Sequence, residues 1–551
     1  MYNLNENFQL DEKVKMLISD MEKELKSKDT ELESKEQEID KLKNEVEYLK
    51  SIILNKNKKI FGKSSEKFEY NQLSIFNEAE VEATCDPGKA ELEQEEIKYT
   101  RNKPSKKNGK KDTLANLKRV VIHHKLEDGE KDCGNCSGEM ECIGTSSKEI
   151  VKYKPAELTV EEHITYTYAC KEKCEDNQGK INIISTKAPN TLLHKSMASN
   201  EILSHVIALK YIYALPLHRQ ESYFKMLGLP LSRQTLSNWI IATANEFKIV
   251  YEIMKEELVK RNYVQADETT LKVLEKSGGE SRSKHYMWLY KTGTDIDPII
   301  LYEYQKTRSG SNPKNFLHGF KGILQTDGYQ GYNAVLDVYL YFCLSHIRRK
   351  FYEIIEPLSE EARKESIAYK GFIYCEKLYE IEKSLRKNYK EKNDYFEIRY
   401  KERLEKSAPV IDEFINFISI NLPNTLGGSA LGKALVYAQN HIGSFKETFL
   451  KDGSLEIDTN AAERAIKYFV IGRKNWLFCK NKNGADSSSI IYSIIETARA
   501  NNLMVEKYLT FLIDTLSNTV NPDKETLMRV MPWSKILPDD LRIPKKVIPA
   551  S

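Results

Sequence analysis

The chain has 551 residues, enough for about three to four domains at the usual size. With 40% hydrophobic and 30% charged side chains and a mean hydropathy of −0.55, it does not read as an integral membrane protein. Its 84 basic and 81 acidic residues leave a formal charge of only +3, so a nucleic-acid partner has to be argued from local charge. Without a basic, then apolar, leader pattern, and with its nine cysteines expected to be mostly reduced, the expected setting is cytoplasmic, with no membrane partner.

Residues 1–60 read as one long helix. With Ile18 at heptad position a, that series continues through Leu25, Leu32, Ile39, Val46 and Ile53. The d series is Met21, Lys28, Lys35, Leu42 and Leu49. This seam predicts a coiled coil that pairs protomers as a homodimer or higher oligomer, with a solitary charged helix as the alternative. Residues 61–112 then read as a charged linker. Eight acidic side chains fall in 78–96 and nine basic ones in 98–119, a block pattern too poor in apolar groups to fold alone. The basic half suits phosphates, or is simply a solvated tether.

Residues 113–190 alternate short β-type runs with turns, among them 120–122, 150–153, 163–168 and 181–184. Cys133 and Cys136, spaced x2, and Cys170 and Cys174, spaced x3, form two close pairs, and Cys142 is a further thiol nearby. Two such pairs flanking a strand-rich stretch are what a tetrahedral structural Zn2+ site requires. Residues 191–258 read as helices. Pro216 and the Gly228-Leu229-Pro230 turn divide them, and Ser232 opens the last before Arg233, Gln234 and Ser237. This is helix-turn-helix grammar, with Arg233, Gln234 and Ser237 toward a DNA groove while Leu236 and Trp239 pack inward.

The acids that stand out come next. Asp267 lies inside the strand-like run 263–273, strands are expected at 286–290 and 299–304, and the apolar run 322–326 delivers Asp327 before Gly328. A further strand at 339–344 leads into His346, Arg348 and Arg349. This order suits a mixed sheet of ribonuclease-H type, in which neighbouring strands set Asp267 beside Asp327. Glu463 begins an Ala-rich helix that could lie on that sheet, followed by Arg473 and Lys474. Carboxylates in this combination suit Mg2+, a hard ion that takes oxygen ligands. Taken singly, each acid also fits an ordinary role at the end of a structural element.

In the order they occur, these pieces resemble the insertion sequence 66 family of transposases. The resemblance runs from Phe61-Gly62-Lys63-Ser64-Ser65-Glu66-Lys67 through Leu215-Pro216-Leu217-His218-Arg219-Gln220-Glu221, Ala266-Asp267-Glu268-Thr269 and Asp327-Gly328-Tyr329-Gln330-Gly331-Tyr332. It continues with His346-Ile347-Arg348-Arg349-Lys350-Phe351 and, most specifically, Glu456-Ile457-Asp458-Thr459-Asn460-Ala461-Ala462-Glu463-Arg464, followed by Gly472-Arg473-Lys474-Asn475-Trp476. The chain departs from the family pattern at Cys343-Leu344-Ser345-His346, where Cys-Trp-Ala-His is usual, at Thr459 within Asp458-Thr459-Asn460, and at Lys467.

The resemblance implies Asp267, Asp327 and Glu463 as a catalytic, metal-binding DDE triad. It also implies the zinc module, the helix-turn-helix and a helical insertion ahead of the glutamate helix. The expected architecture is therefore multidomain α+β: a coiled coil (1–60), linker (61–112), zinc-binding β-rich module (113–190), helix-turn-helix (191–258), ribonuclease-H-like mixed α/β core (259–345 plus 441–500) with a helical insertion (346–440), and a C-terminal region (501–551). The expected activity is cleavage and strand transfer of DNA with two Mg2+ ions, Mn2+ serving as a substitute. The expected partners are the terminal inverted repeats, target DNA and helper proteins of the same element. His346, Arg348, Arg349, Arg464, Arg473 and Lys474 are expected at phosphates. A catalytically silent end-binding protein or repressor on the same scaffold is the alternative.

Overall fold

The computed structural model describes residues 158–169, 183–274, 284–294 and 297–544, together with helical positions at 20, 21, 23–29, 31 and 35. Cys133, Cys136, Cys170 and Cys174 lie outside the described residues, as does the basic stretch 98–119. Within the N-terminal helical positions, the lysines that interrupt the apolar seam pair along their own helix, Lys28 with Glu24 (3.6 Å) and Lys35 with Glu31 (2.7 Å). None of the described helices is long and apolar enough to cross a membrane.

The chain divides into two compact units. The smaller comprises 85–189, 221–232 and 542–551. Its described part holds an antiparallel pair, β1 (Thr167–Ala169) and β2 (Ile183–Ser185), in the register Tyr168 opposite Ile184. The expected β-run 163–168 overlaps β1 only at 167–168, starting four residues early, and 181–184 overlaps β2 at 183–184. The larger unit comprises 1–84, 190–220 and 233–541.

In chain order the next helices are α1 (Asn200–Tyr211), α2 (Leu217–Met226), α3 (Arg233–Glu246) and α4 (Lys248–Val259). Ser199 caps α1, its side chain accepting from the Ile202 amide. The turn between α2 and α3 reverses at Gly228, whose φ of +89° is a left-handed conformation that suits glycine. On α3, Leu236 and Trp239 are buried while Arg233 and Gln234 are exposed and Ser237 is half-buried. That is the facing expected for a helix with one outward polar edge.

The central sheet has five strands: β3 (Tyr263–Lys272), β4 (Lys284–Thr292), β5 (Ile300–Gln305), β6 (Ile323–Thr326) and β7 (Tyr339–Phe342), ordered β5-β4-β3-β6-β7. β5, β4 and β3 form an antiparallel meander, while β6 runs parallel to β3 and β7 parallel to β6. β3 is buried along all but its last residue, as a central strand covered on both faces must be.

After β7 the chain is helical: α6 (Leu344–Ile355), α7 (Glu360–Glu365), α8 (Ile367–Tyr389), α9 (Tyr395–Glu402), a π-helical turn (Arg403–Ser407), α10 (Ala408–Asn421) and α11 (Ala430–Phe449). The short α5 (Ser311–Phe316) precedes β6. Of these helices, α6, α8, α10 and α11 share a core that includes Phe351, Phe414 and Phe445. On α8, Glu382 accepts from Arg399 (2.6 Å) and Arg403 (2.7 Å), and both guanidinium groups are fully buried. Arg403 also donates to the carbonyls of Asp452 (3.0 Å) and Leu455 (2.7 Å), and Arg399 to that of Gly453 (3.1 Å). The network thereby pins the loop that leads into α12 (Asn460–Trp476).

α12 packs on β3, and α13 (Lys482–Ala500) runs along β5. As an edge strand, β5 presents backbone groups without a strand partner. Ser493 of α13 accepts from the Tyr302 amide (2.7 Å), and Thr497 both accepts from the Ile300 amide (3.0 Å) and donates to its carbonyl (2.9 Å). α14 (Val505–Asn518) and α15 (Lys524–Val530) follow, and a 3-10 turn at Asp539–Leu541 comes near the end of the described residues.

Candidate active site

β3 and β6 pair with Tyr263 opposite Ile323 and Gln265 opposite Gln325. The same offset, carried on two residues, sets Asp327, just past the end of β6, level with Asp267. The backbone then turns at Gly328, where φ is +96° and an added Cβ would lie 2.7 Å from the Tyr437 hydroxyl. The Tyr437 hydroxyl donates to the Asp327 carbonyl (2.5 Å), and the Asp327 side chain accepts from the Tyr329 amide (3.0 Å). The aspartate is thus held at both its backbone and its carboxylate.

Glu463 lies in the first turn of α12 and is almost fully buried. At the far end of that helix Arg473 donates to Thr270 Oγ1 (3.0 Å), Thr269 Oγ1 (3.3 Å) and the Thr270 carbonyl, which clamps α12 to β3. Gln265 Nε2 donates to the Asp458 carbonyl (3.1 Å) and so ties the same strand to the start of the helix.

The electrostatics are those of crowded acids. Burial, then Glu268, Asp327 and Glu463, hold the Asp267 carboxyl well above its ordinary value. Burial pushes Glu463 up to about 7 against the lowering effect of Arg349, and its Oε1 has no hydrogen-bond partner. Arg308 meets the cluster, 2.6 Å from Glu268 and 3.9 Å from Asp327, and stacks 4.0 Å over the Tyr329 ring. Burial works against its charge, yet Glu268 and Asp327 hold its pKa above the usual arginine value. Tyr332 donates to the other oxygen of Glu268 (2.5 Å).

Excess carboxylate in a buried setting, with one oxygen unpartnered, is a donor set that fits a hard divalent cation. Beside it lies a second group: Cys343, His346 and Glu463 place one ligand atom each within 4.8 Å of one another, the one such trio of potential ligands among the described residues. His346 is buried, and burial together with Arg349, Lys350 and His441 holds its pKa well below the ordinary imidazole value. Burial, Glu463 and Asp458 push the Cys343 thiol up to about 12.

Several expected phosphate contacts are placed elsewhere. Arg473 is the clamp just described, because its helix turns it inward onto β3. Arg349 is buried where its charge acts on Glu463. His346 is buried beside Cys343. Arg348 pairs with Glu376 and lies 4.8 Å over the Phe372 ring. Arg464 and Lys474 are exposed. Glu268 and Arg308 went unread in the sequence. A second acid directly after Asp267 was the one available signal, whereas Arg308 meets it from a loop 40 residues on.

The family comparison decides the identity. A model described as "Transposase IS66 family" matches residues 195–487, more than half of the chain and all of the site. The chain belongs to this family. Two further models match this IS66 transposase: "zinc-finger binding domain of transposase IS66" over 130–175, and "Transposase C of IS166 homeodomain" over 48–122. The first supports a structural Zn2+ and spans all four paired cysteines. The second covers the stretch read as a charged linker.

Similar proteins include three from Sinorhizobium fredii (strain NBRC 101917 / NGR234). The uncharacterized protein y4jD is 29% identical over 429 residues, 74% of this chain and 79% of its own length. The uncharacterized protein y4qI is 28% identical over 375 residues, 65% of this chain and 66% of its own. The uncharacterized protein y4hP is 25% identical over 456 residues, 79% of this chain and 78% of its own.

Proposed function

We propose that this IS66 transposase cleaves DNA at the terminal repeats of its element and joins the freed ends to target DNA. On this reading a ribonuclease-H-like core holds two Mg2+ ions, or Mn2+, through Asp267, Asp327 and Glu463. The observation that carries the reading is the parallel β3–β6 register, which extended by two residues sets Asp327, just past β6, level with Asp267, with Glu463 close enough to act on Asp267. The sheet order, three antiparallel strands followed by two parallel ones, supports the ribonuclease-H-like assignment. The helices of 344–449 then constitute an insertion between the last strand and the glutamate helix.

When bound, such ions supply activation of the attacking oxygen and stabilisation of the leaving one at a phosphodiester. The chain's own residues do the positioning. Tyr437 holds the Asp327 turn, Arg473 holds α12 on the strand that carries Asp267, and the Glu382–Arg399–Arg403 network holds the loop before Glu463. Arg308, partly exposed beside Asp327, is suited to meet a phosphate oxygen as DNA enters. Arg233, Gln234 and Ser237 on α3 read the element end, while the exposed Arg464 and Lys474 meet backbone phosphates. Cys133, Cys136, Cys170 and Cys174 hold the structural Zn2+. The N-terminal helix pairs protomers, in keeping with the exposure of its seam residues Met21 and Leu25, at 58% and 61%. Helper proteins of the same element complete the assembly in the bacterial cytoplasm.

The test is labelled element-end DNA incubated with Mg2+ and the wild type, Asp267→Asn or Glu463→Gln. Metal-dependent nicking by the wild type, lost in both variants, is expected. Undiminished nicking by either variant would falsify the triad, and wild-type end binding without cleavage points to the silent end-binding protein.

A further inference from the structure

Cys343 and His346 are three residues apart across the start of α6, a spacing that brings their side chains onto one face of the first helical turn. α12 arrives from more than a hundred residues later with Glu463. The resulting trio offers one sulfur, one nitrogen and one oxygen within 4.8 Å of one another, all three residues buried. Two of its members lack partners: His346 Nδ1 and Glu463 Oε1 are buried without a hydrogen bond. Orphaned buried polar atoms are uncommon in a folded protein, and an ion is one of the things that explains them. The sulfur is prepared as an acceptor, because the Thr459 amide donates to Cys343 Sγ at 3.1 Å and Ser345 Oγ lies 2.8 Å from it.

We propose that Cys343, His346 and Glu463 form a binding site for a borderline-soft divalent transition ion of the Zn2+ class, with a coordination position left open. The ligand chemistry distinguishes it from the acidic cluster. Thiolate and imidazole select Zn2+ or Co2+ over Mg2+, which prefers oxygen alone. Cys343 and Glu463 bring two negative charges to the ion when ionised, against the nearby Arg349 and Lys350. Asp458 adds a further carboxyl to the surroundings. Such an ion ties the start of α6 to the start of α12 and so fixes the rotamer of Glu463. The site shares Glu463 with the proposed triad but uses neither aspartate, so it borders the cleavage site and is tested by zinc content rather than by cleavage.

The experiment is metal content per chain for the full-length protein, equilibrated by dialysis at a fixed free Zn2+ concentration. Wild type is compared with Cys343→Ser, His346→Gln and the double variant Asp267→Asn/Asp327→Asn. The zinc module contributes equally to all four. The expected result is one Zn2+ fewer per chain in Cys343→Ser and in His346→Gln, with wild-type content in the aspartate variant. After Co2+ exchange, the near-ultraviolet thiolate-to-cobalt band falls in Cys343→Ser by the share of one thiolate. Equal zinc content in wild type and both ligand variants overturns the proposal, whatever the variants do to cleavage. Loss of zinc only in the aspartate variant overturns it as well. Circular dichroism establishes which variants are folded. If Cys343→Ser is not, His346→Gln decides the matter by the same zinc count.

Discussion

Two buried sets of charges in this molecule are built on opposite plans. Around Glu382, one carboxylate faces two guanidinium groups, each of which also donates to backbone carbonyls. Burial alone would raise the Glu382 pKa, but Arg403 and Arg399 outweigh it and the group stays below its ordinary value. Around Asp267 the strongest charged neighbours are other carboxyls, and the pKa goes up. The first set is complete within the chain and so reads as architecture. The second carries charge that the chain does not neutralise, which is how a site for an external cation differs from an internal ion pair.

The contrast breaks most visibly at the acids. Asp267→Asn is expected to reduce metal-dependent nicking by on the order of 1000-fold, the equivalent of several kcal/mol of transition-state stabilisation. The same substitution relieves repulsion, so its melting temperature should rise, by the equivalent of about 1 kcal/mol. A loss of stability together with activity would mean that the cluster is structural after all. At the balanced set the opposite holds. Glu382→Ala removes the carboxylate that Arg403 pairs with and leaves Arg399 with Glu456 alone (3.3 Å), and should destabilise the fold by about 3–5 kcal/mol, read from denaturant midpoints. A midpoint near wild type would show that the carbonyls and Glu456 suffice.

The comparison sharpens at the edge strand, where the groups are neutral. Thr497→Val removes the hydroxyl that accepts from the Ile300 amide and donates to its carbonyl, and should reduce stability by about 1–3 kcal/mol. The smallest effect concerns Glu303. Burial raises its carboxyl to about 7, against Gln305 and Lys255, from an ordinary value of 4.5. Between those values the folded chain binds more protons than the unfolded one, so stability falls as pH rises through that window. Glu303→Gln should flatten this fall, by on the order of 1 kcal/mol after allowance for solvent, in melting temperatures taken from pH 4 to pH 8.

Much of the scaffold was legible because it is local. The strand runs around Asp267 and before Asp327 differ from the observed strands by a residue or so at each end, since alternation and β-branched residues act over a few positions. The helix carrying Glu463 was legible from its Ala-rich run, and the turn between α2 and α3 from Gly228. Arg473 shows where that kind of reading stops. A basic residue beside an expected DNA site suggests a phosphate contact, yet its partners Thr269 and Thr270 lie some two hundred residues earlier. Only the packing of α12 on β3 reveals them. Arg349 and His346, also expected at phosphates, are buried beside Glu463 and Cys343, a placement that again depends on packing between distant elements.

What the sequence determined by itself is the kind of protein and the elements that carry its acids: the ordered motifs, the strand before each aspartate, the helix of the glutamate. Short-range propensity and side-chain chemistry suffice for those. Tertiary structure alone decided which charges are answered and which are left over: Glu382 between its two arginines, Arg308 on Glu268, Cys343 and His346 beside Glu463. Those outcomes depend on contacts between residues tens to hundreds of positions apart. In a buried, low-dielectric setting, such a contact decides whether a charge is an internal tie or a site.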